Sequence, residues 1–334
     1  MRDRWLVLVA VLPFLMGAGS APHHPGVTAF TFRDPAIVES SALVVVDGAF
    51  VTTNDSGDTG RVFTVDPATG RTTGVTRWSA DPIDTEGLAP AGHGAVWVGD
   101  IGDNTASRDT VQVARVPVGP GERTVHPQVY DLAYPDGAHN AETLLRDPAS
   151  GRLYVATKGV FGGELYAAPD RLDPTRTNRL RPVAPVLAIA TDGAFFPDGR
   201  HLILRDYGRA VVYSFPGLVE VGSFTLPDQD QGEGIAVDGA GRVFVSSEGQ
   251  AEPVLQVRLP AQLRTALRRT SPSGSSSGSS GPSAAPSPAA ADRAQAPDPR
   301  PEDRPVWPWF LTAWLVLGGL VMVTGWIGSR RPGD

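Results

Sequence analysis

Acidic residues that could gather around one axis recur along this 334-residue chain. Five short motifs each open on a carboxylate: Glu39-Ser40-Ser41-Ala42-Leu43, Glu86-Gly87-Leu88-Ala89, Glu142-Thr143-Leu144-Leu145, Asp192-Gly193-Ala194-Phe195 and Glu233-Gly234-Ile235-Ala236, at spacings of 47, 56, 50 and 41 residues. A second charged position follows each by 14 to 16 residues: Asp55, Asp100, Lys158, Asp206 and Glu248. Carboxylates brought within several ångströms of one another repel, so something must compensate them. They could hold protons, accept backbone N–H groups of a neighbouring unit, or share a cation. Many hard oxygen donors and no sulfur favour Ca2+ over a transition metal. The chain has no cysteine, which excludes disulfides, thiolate zinc sites and cysteine nucleophiles.

The elements that must position these residues are strands. Each motif runs into a Gly-containing turn and then a short apolar strand: 49–53, 95–99, 153–157, 201–205 and 243–247. Third strands follow at 61–65, 111–116, 164–168, 210–215 and 254–259. A fourth is visible in the first four units, for example 219–226. Four antiparallel strands in each repeat of about 40 to 55 residues are the pattern of β-propeller blades. The fifth unit lacks a fourth strand, and residues 27–33 (VTAFTFR) offer an orphan to complete it. The expected fold is therefore all-β, a five-bladed β-propeller whose N-terminal strand closes the last blade. Six blades follow instead if the interval from Glu86 to Glu142 merges two short units. In a propeller the first strand of each blade lines the channel, so Glu39, Glu86, Glu142, Asp192 and Glu233 would form a ring, with Asp55, Asp100, Lys158, Asp206 and Glu248 beside its mouth.

Lys158 is the one lysine among 29 basic residues. It stands where other units carry an acid, and could either neutralise the ring as an ion pair or hold an anionic group beside a metal. Arg205 and Tyr207 are candidate helpers in the second case, and Arg61 a further one. His139 lies three residues before Glu142 and is the histidine nearest the site. No serine of the body stands in a recognisable nucleophile context.

Composition divides the rest of the chain. Residues 1–21 carry Arg2, Arg4, an apolar run and small residues, the pattern of a secretory signal peptide. Residues 22–260 hold 30 acidic and 19 basic side chains, a balance that makes nucleic acid a poor partner. Residues 261–305 read as a short helix and a disordered Ser/Pro/Ala linker. Residues 306–329 contain no charge and are long enough for one transmembrane helix, with Trp307, Trp309 and Trp326 at its interfaces. Arg330 and Arg331 open a cytoplasmic stub, 330–334. The expected placement is a single-pass cell-membrane protein with its propeller outside.

The segments ESSAL, NDSGDTGRVFTVD, DTEGLA, VWVGDIGDN, YPDGAHNAETLL, GRLYVATK and QGEGIAV resemble a group of secreted actinobacterial β-propeller proteins of unassigned function, distantly like the phytase-like (esterase-like) propellers. In β-propeller phytases, acids around the channel bind Ca2+ ions that hold phosphate and activate water. The resemblance implies that Glu39, Glu86, Glu142 and Glu233 are metal ligands and that Lys158 and Arg205 contact phosphate. Three functions follow as alternatives: a surface propeller binding a cell-wall polymer, an anionic small molecule or a protein partner at a Ca2+-holding mouth; a Ca2+-dependent phosphoester or ester hydrolase; or a metal-free scaffold.

Overall fold

A computed structural model describes residues 26–269 apart from 56 and 80. The expected signal peptide, linker, membrane helix and stub lie outside the described residues, among which no helix is long and apolar enough to cross a membrane.

The chain folds as five sheets around one axis. The first strand among the described residues is β1 (Val27–Thr31). The first blade is β2 (Ser40–Val46), β3 (Ala49–Asn54), β4 (Arg61–Val65) and β5 (Thr72–Trp78). The second is β6 (Thr85–Pro90), β7 (Ala95–Asp100) and β8 (Val111–Pro117), then, after β9 (Gly121–Val125), β10 (Val129–Ala133). The third is β11 (Ala141–Arg146), β12 (Leu153–Thr157) and β13 (Gly163–Ala167), then, after β14 (Asn178–Arg179), β15 (Arg181–Val186). The fourth is β16 (Asp192–Phe195), β17 (His201–Arg205), β18 (Arg209–Ser214) and β19 (Glu220–Thr225). The fifth is β20 (Gly232–Val237), β21 (Val243–Ser247) and β22 (Pro253–Val257), completed by β1, which pairs antiparallel with β22. This is the five-bladed ring with its N-terminal closure.

The long interval between Glu86 and Glu142 hides no sixth blade. It supplies β9, which crosses to the first blade and pairs parallel with the edge strand β5, while β14 does the same for β10. Both cover sheet edges that would otherwise stay open.

Burial follows position in the blade. Every residue of β12, β17 and β21 is buried, because a middle strand packs against neighbouring blades on both faces. Outer strands such as β19 are buried at few positions. Asp47 and Gly48 join β2 to β3 with φ of 50° and 83°, the paired positive values of a two-residue hairpin turn. The inner strands approach closely where the residue after the ring position is glycine: a Cβ on Gly87 would stand 2.7 Å from Leu144 Cβ, and one on Gly234 2.8 Å from Leu43 Cβ. After β22 the chain forms α1 (Ala261–Arg269), whose buried Leu263 joins the apolar cluster of the fourth and fifth blades.

Candidate metal and anion site at the channel mouth

Strand register determines which residues point into the channel. In β2/β3, β6/β7, β11/β12 and β20/β21 the pairing slips at the first turn of the inner strand, leaving an unpaired residue in a bulge. Such a bulge re-aims a side chain. The bulged residues are Ser41, Glu86, Glu142 and Glu233, and unbulged Asp192 takes the same place in the fourth blade, just before Gly193. The ring is therefore four acids and one serine. Glu39, expected in it, lies two residues before Ser41 and is exposed at the rim, where its charge still reaches Glu248.

Ser41 donates its hydroxyl to Glu86 Oε2 at 2.6 Å. Burial pushes the Glu86 carboxyl up to about 10, with the charges of Glu142 and Asp55 adding to it and the Ser41 hydrogen bond opposing. Beside it lie Asp55 and Asp84, and one carboxylate oxygen from each of the three falls within 4.8 Å of the others. Asp84 stands outside the repeat of acids. Its only signal was its place two residues before Glu86 in the DTEG run.

The loop after β7 builds the seat of Asp84. Asp100 is not a free ligand: its carboxylate accepts the amides of Ile83 at 3.0 Å and Asp84 at 2.9 Å, and pairs with Arg108 Nη1 at 2.8 Å. Arg108 also donates to the Gly102 carbonyl at 2.7 Å, while Asp103 accepts the amides of Ser107 and Arg108. Gly102 packs so tightly on Asp84 that a Cβ there would stand 2.2 Å from Oδ2. The GDIGDN run thus holds a neighbouring carboxylate in place. Burial raises Asp84 to about 6, reinforced by Asp55 and Asp100 and opposed by Arg108.

In the next blade, Lys158 Nζ donates to Glu142 Oε1 at 2.5 Å and, reaching to the fourth blade, to the Tyr207 hydroxyl at 2.8 Å. Burial lifts Glu142 to about 7 against the pull of Lys158. Burial would lower the Lys158 ammonium, but the Glu142 carboxylate outweighs it and holds the amine above its usual range. Glu233 and Glu248 are each raised to about 7, first by burial and then by Glu142 and Glu233 respectively. Two carboxylate oxygens in this region, Asp84 Oδ1 and Glu142 Oε2, are buried without a hydrogen-bond partner. Their residues are only 8% and 3% exposed.

The remaining candidates serve the scaffold. Asp192 is fully buried, and its Oδ2 accepts the amides of Leu43 at 3.2 Å and Ile235 at 2.8 Å, while Oδ1 accepts that of Gly193. It plugs the channel as a backbone acceptor. Arg205 is fully buried too, and its guanidinium donates to the carbonyls of Asp206, Gly234, Ser246 and Tyr207 and to Gln229 Oε1. Those donors are spent inside the wall, so Arg205 does not face a phosphate. Asp206 caps its own turn through the amides of Gly208 and Arg209. His139 stacks edge-on with Tyr134 and contacts Asp136 and Tyr166, in a cluster apart from the ring. Arg61 is held by Asp58 at 2.7 Å.

No family model and no curated protein matches the chain. Among solved structures, a gluconolactonase from Xanthomonas campestris is 15% identical with a TM-score of 0.42, the alignment covering 69% of this chain and 89% of that one. A chain of a nidogen/laminin complex is 17% identical with a TM-score of 0.40, over 63% of this chain and 73% of that one.

Proposed function

We propose that this protein is a propeller that holds a hard divalent cation, Ca2+ first among them, at its channel mouth and there binds an anionic, oxygen-rich ligand. The observation that carries this reading is the pair of buried, unpartnered oxygens, Asp84 Oδ1 and Glu142 Oε2, beside a triad of converging carboxylates. Buried polar atoms without partners are rare and call for one. Asp55, Asp84 and Glu86 would hold the cation, and the all-oxygen donor set suits Ca2+. When bound, the cation supplies positive charge against these acids and against an anionic group of the ligand. Lys158 Nζ and the Tyr207 hydroxyl, at the mouth, would orient that group. The apolar runs at 1–21 and 306–329 support placing the body outside the cytoplasm on a membrane anchor, where a wall polymer, an anionic small molecule or a protein could reach it.

A second reading is hydrolysis of a phosphoester or ester at the same mouth. Glu233 favours it: a carboxyl raised to about 7 near the Lys158–Tyr207 pair is matched to accept and return a proton at neutral pH. Lys158 would stabilise negative charge developing on the substrate oxygen.

Calorimetric titration of the full chain with Ca2+, Mg2+, Mn2+ and Zn2+ tests the proposal. Saturable Ca2+ binding that disappears in Asp84→Asn and Glu86→Gln is expected, and a protein that takes up none of the four ions refutes it. Phosphoester and carboxyl-ester substrates, assayed with and without Ca2+, decide between binding and hydrolysis.

A further inference from the structure

The far end of the channel holds a second chamber of a different character. Its walls come from the C-terminal halves of all five inner strands, Leu43–Val45, Leu88–Pro90, Leu144–Arg146, Gly193–Phe195 and Ala236–Val237. The cavity is about 180 Å3. Val45, Ala194, Phe195 and Val237 are half-buried and line this opening. Asp192, bonded to the amides of Leu43 and Ile235, lies between the chamber and the acids. The two sites share an axis and nothing else.

One charge on the wall is unanswered. Arg146 ends β11 at the rim, its guanidinium over the Gly151 turn, and among the described residues no carboxylate pairs with it. The acid at that rim, Asp238, is already neutralised by Arg242 at 2.6 Å and by the amides of Ala240 and Arg242. Beyond the shared rim residues Phe196, Pro197 and Gly239 lies a groove lined by Arg258, Arg264 and Arg268, its acid Asp198 held by His201. An apolar chamber bordered by cations suits a ligand with an apolar tail and an anionic head.

We propose that this chamber binds a medium-chain carboxylate, its tail among the inner strands and its carboxylate on Arg146. Size sets the length: an apolar cavity of about 150 Å3 accommodates a benzene ring, so this one takes a chain of roughly six to eight carbons.

Titration of the full chain with octanoate, with octanol as the uncharged counterpart, tests the assignment. Octanoate is expected to bind saturably and to weaken about tenfold in Arg146→Gln, the loss of one charge-assisted pair, while octanol binding stays unchanged. Ala194→Leu, which fills the chamber, should abolish both with the circular dichroism spectrum retained, and Val45→Phe provides a second filling variant if the first does not fold. Binding that survives both filling variants, or no binding of either probe at 1 mM ligand, overturns the proposal. Because Asp84 and Glu86 lie at the other end, Asp84→Asn should bind octanoate as the parent does.

Discussion

Asp192 Oδ2 accepts the Leu43 amide at 3.2 Å, so a carboxylate of the fourth blade is bonded to the first blade across the channel, with the fifth blade lying between them in the ring. The same oxygen takes the Ile235 amide of that fifth blade. Asp192→Ala strands three buried N–H groups, those of Leu43, Ile235 and Gly193, at about 1–3 kcal/mol each. A loss of roughly 3 kcal/mol is expected, read as a drop of about 10 °C in the melting temperature of a body this size. An unchanged melting temperature would show that the plug is dispensable.

Lys158 and Glu142 form a pair in which removing one partner leaves the other buried and alone. Lys158→Met is expected to destabilise the protein by roughly 3 kcal/mol at pH 8. The loss should shrink at pH 5, below the value of about 7 at which Glu142 takes up its proton. Chemical denaturation at the two pH values checks this. An equal loss at both would mean that the lysine acts through packing alone.

Stability should fall as pH rises. Asp84 is raised to about 6 and Glu142, Glu233 and Glu248 to about 7, above the usual carboxylate range of the unfolded chain. Between about pH 4.5 and 7 the folded state therefore holds protons that the unfolded state has released, and ionising it costs stability. The contribution is complete below about pH 4.5 and gone once pH passes about 7, while Glu86 extends the decline toward about 10. Melting curves in EDTA from pH 5 to 8.5 should slope downward, and 1 mM Ca2+ should flatten them. Superimposable curves with EDTA and Ca2+ would remove the cation from the account.

Gly102→Ala places a methyl group where the Asp84 carboxylate now lies. Asp84 must move, and the triad opens. Cation affinity should fall at least about tenfold, while the circular dichroism spectrum of the propeller persists. Full affinity in this variant would take Asp84 out of the site.

The blades were legible because each repeat writes its own turn and apolar strand: the boundaries of 153–157, 201–205 and 243–247 agree with β12, β17 and β21 to the residue. The site was legible to the extent that its acids obey the same period, as Glu86, Glu142 and Glu233 do. Residue type and tertiary contacts hid the rest. In β2 the bulge that carries an acid in three other blades carries Ser41, so Glu39, two residues earlier, stays at the rim, and spacing alone does not tell these two positions apart. Asp84 was hidden because its position depends on Asp100, Arg108 and Gly102, which come together only after β6 and β7 pair. Arg205 has the residue type of an anion contact, but its donors are consumed in part by carbonyls of β20 and β21, distant in sequence.

The fifth sheet is sewn from both ends of the described chain, residues 27–31 lying against 253–257. The toroid cannot lock until its last strand has been made and has found its first. A ribosome-bound chain would thus carry a half-built ring with two raw borders, and deleting either β1 or β22 should leave that seam permanently unstitched.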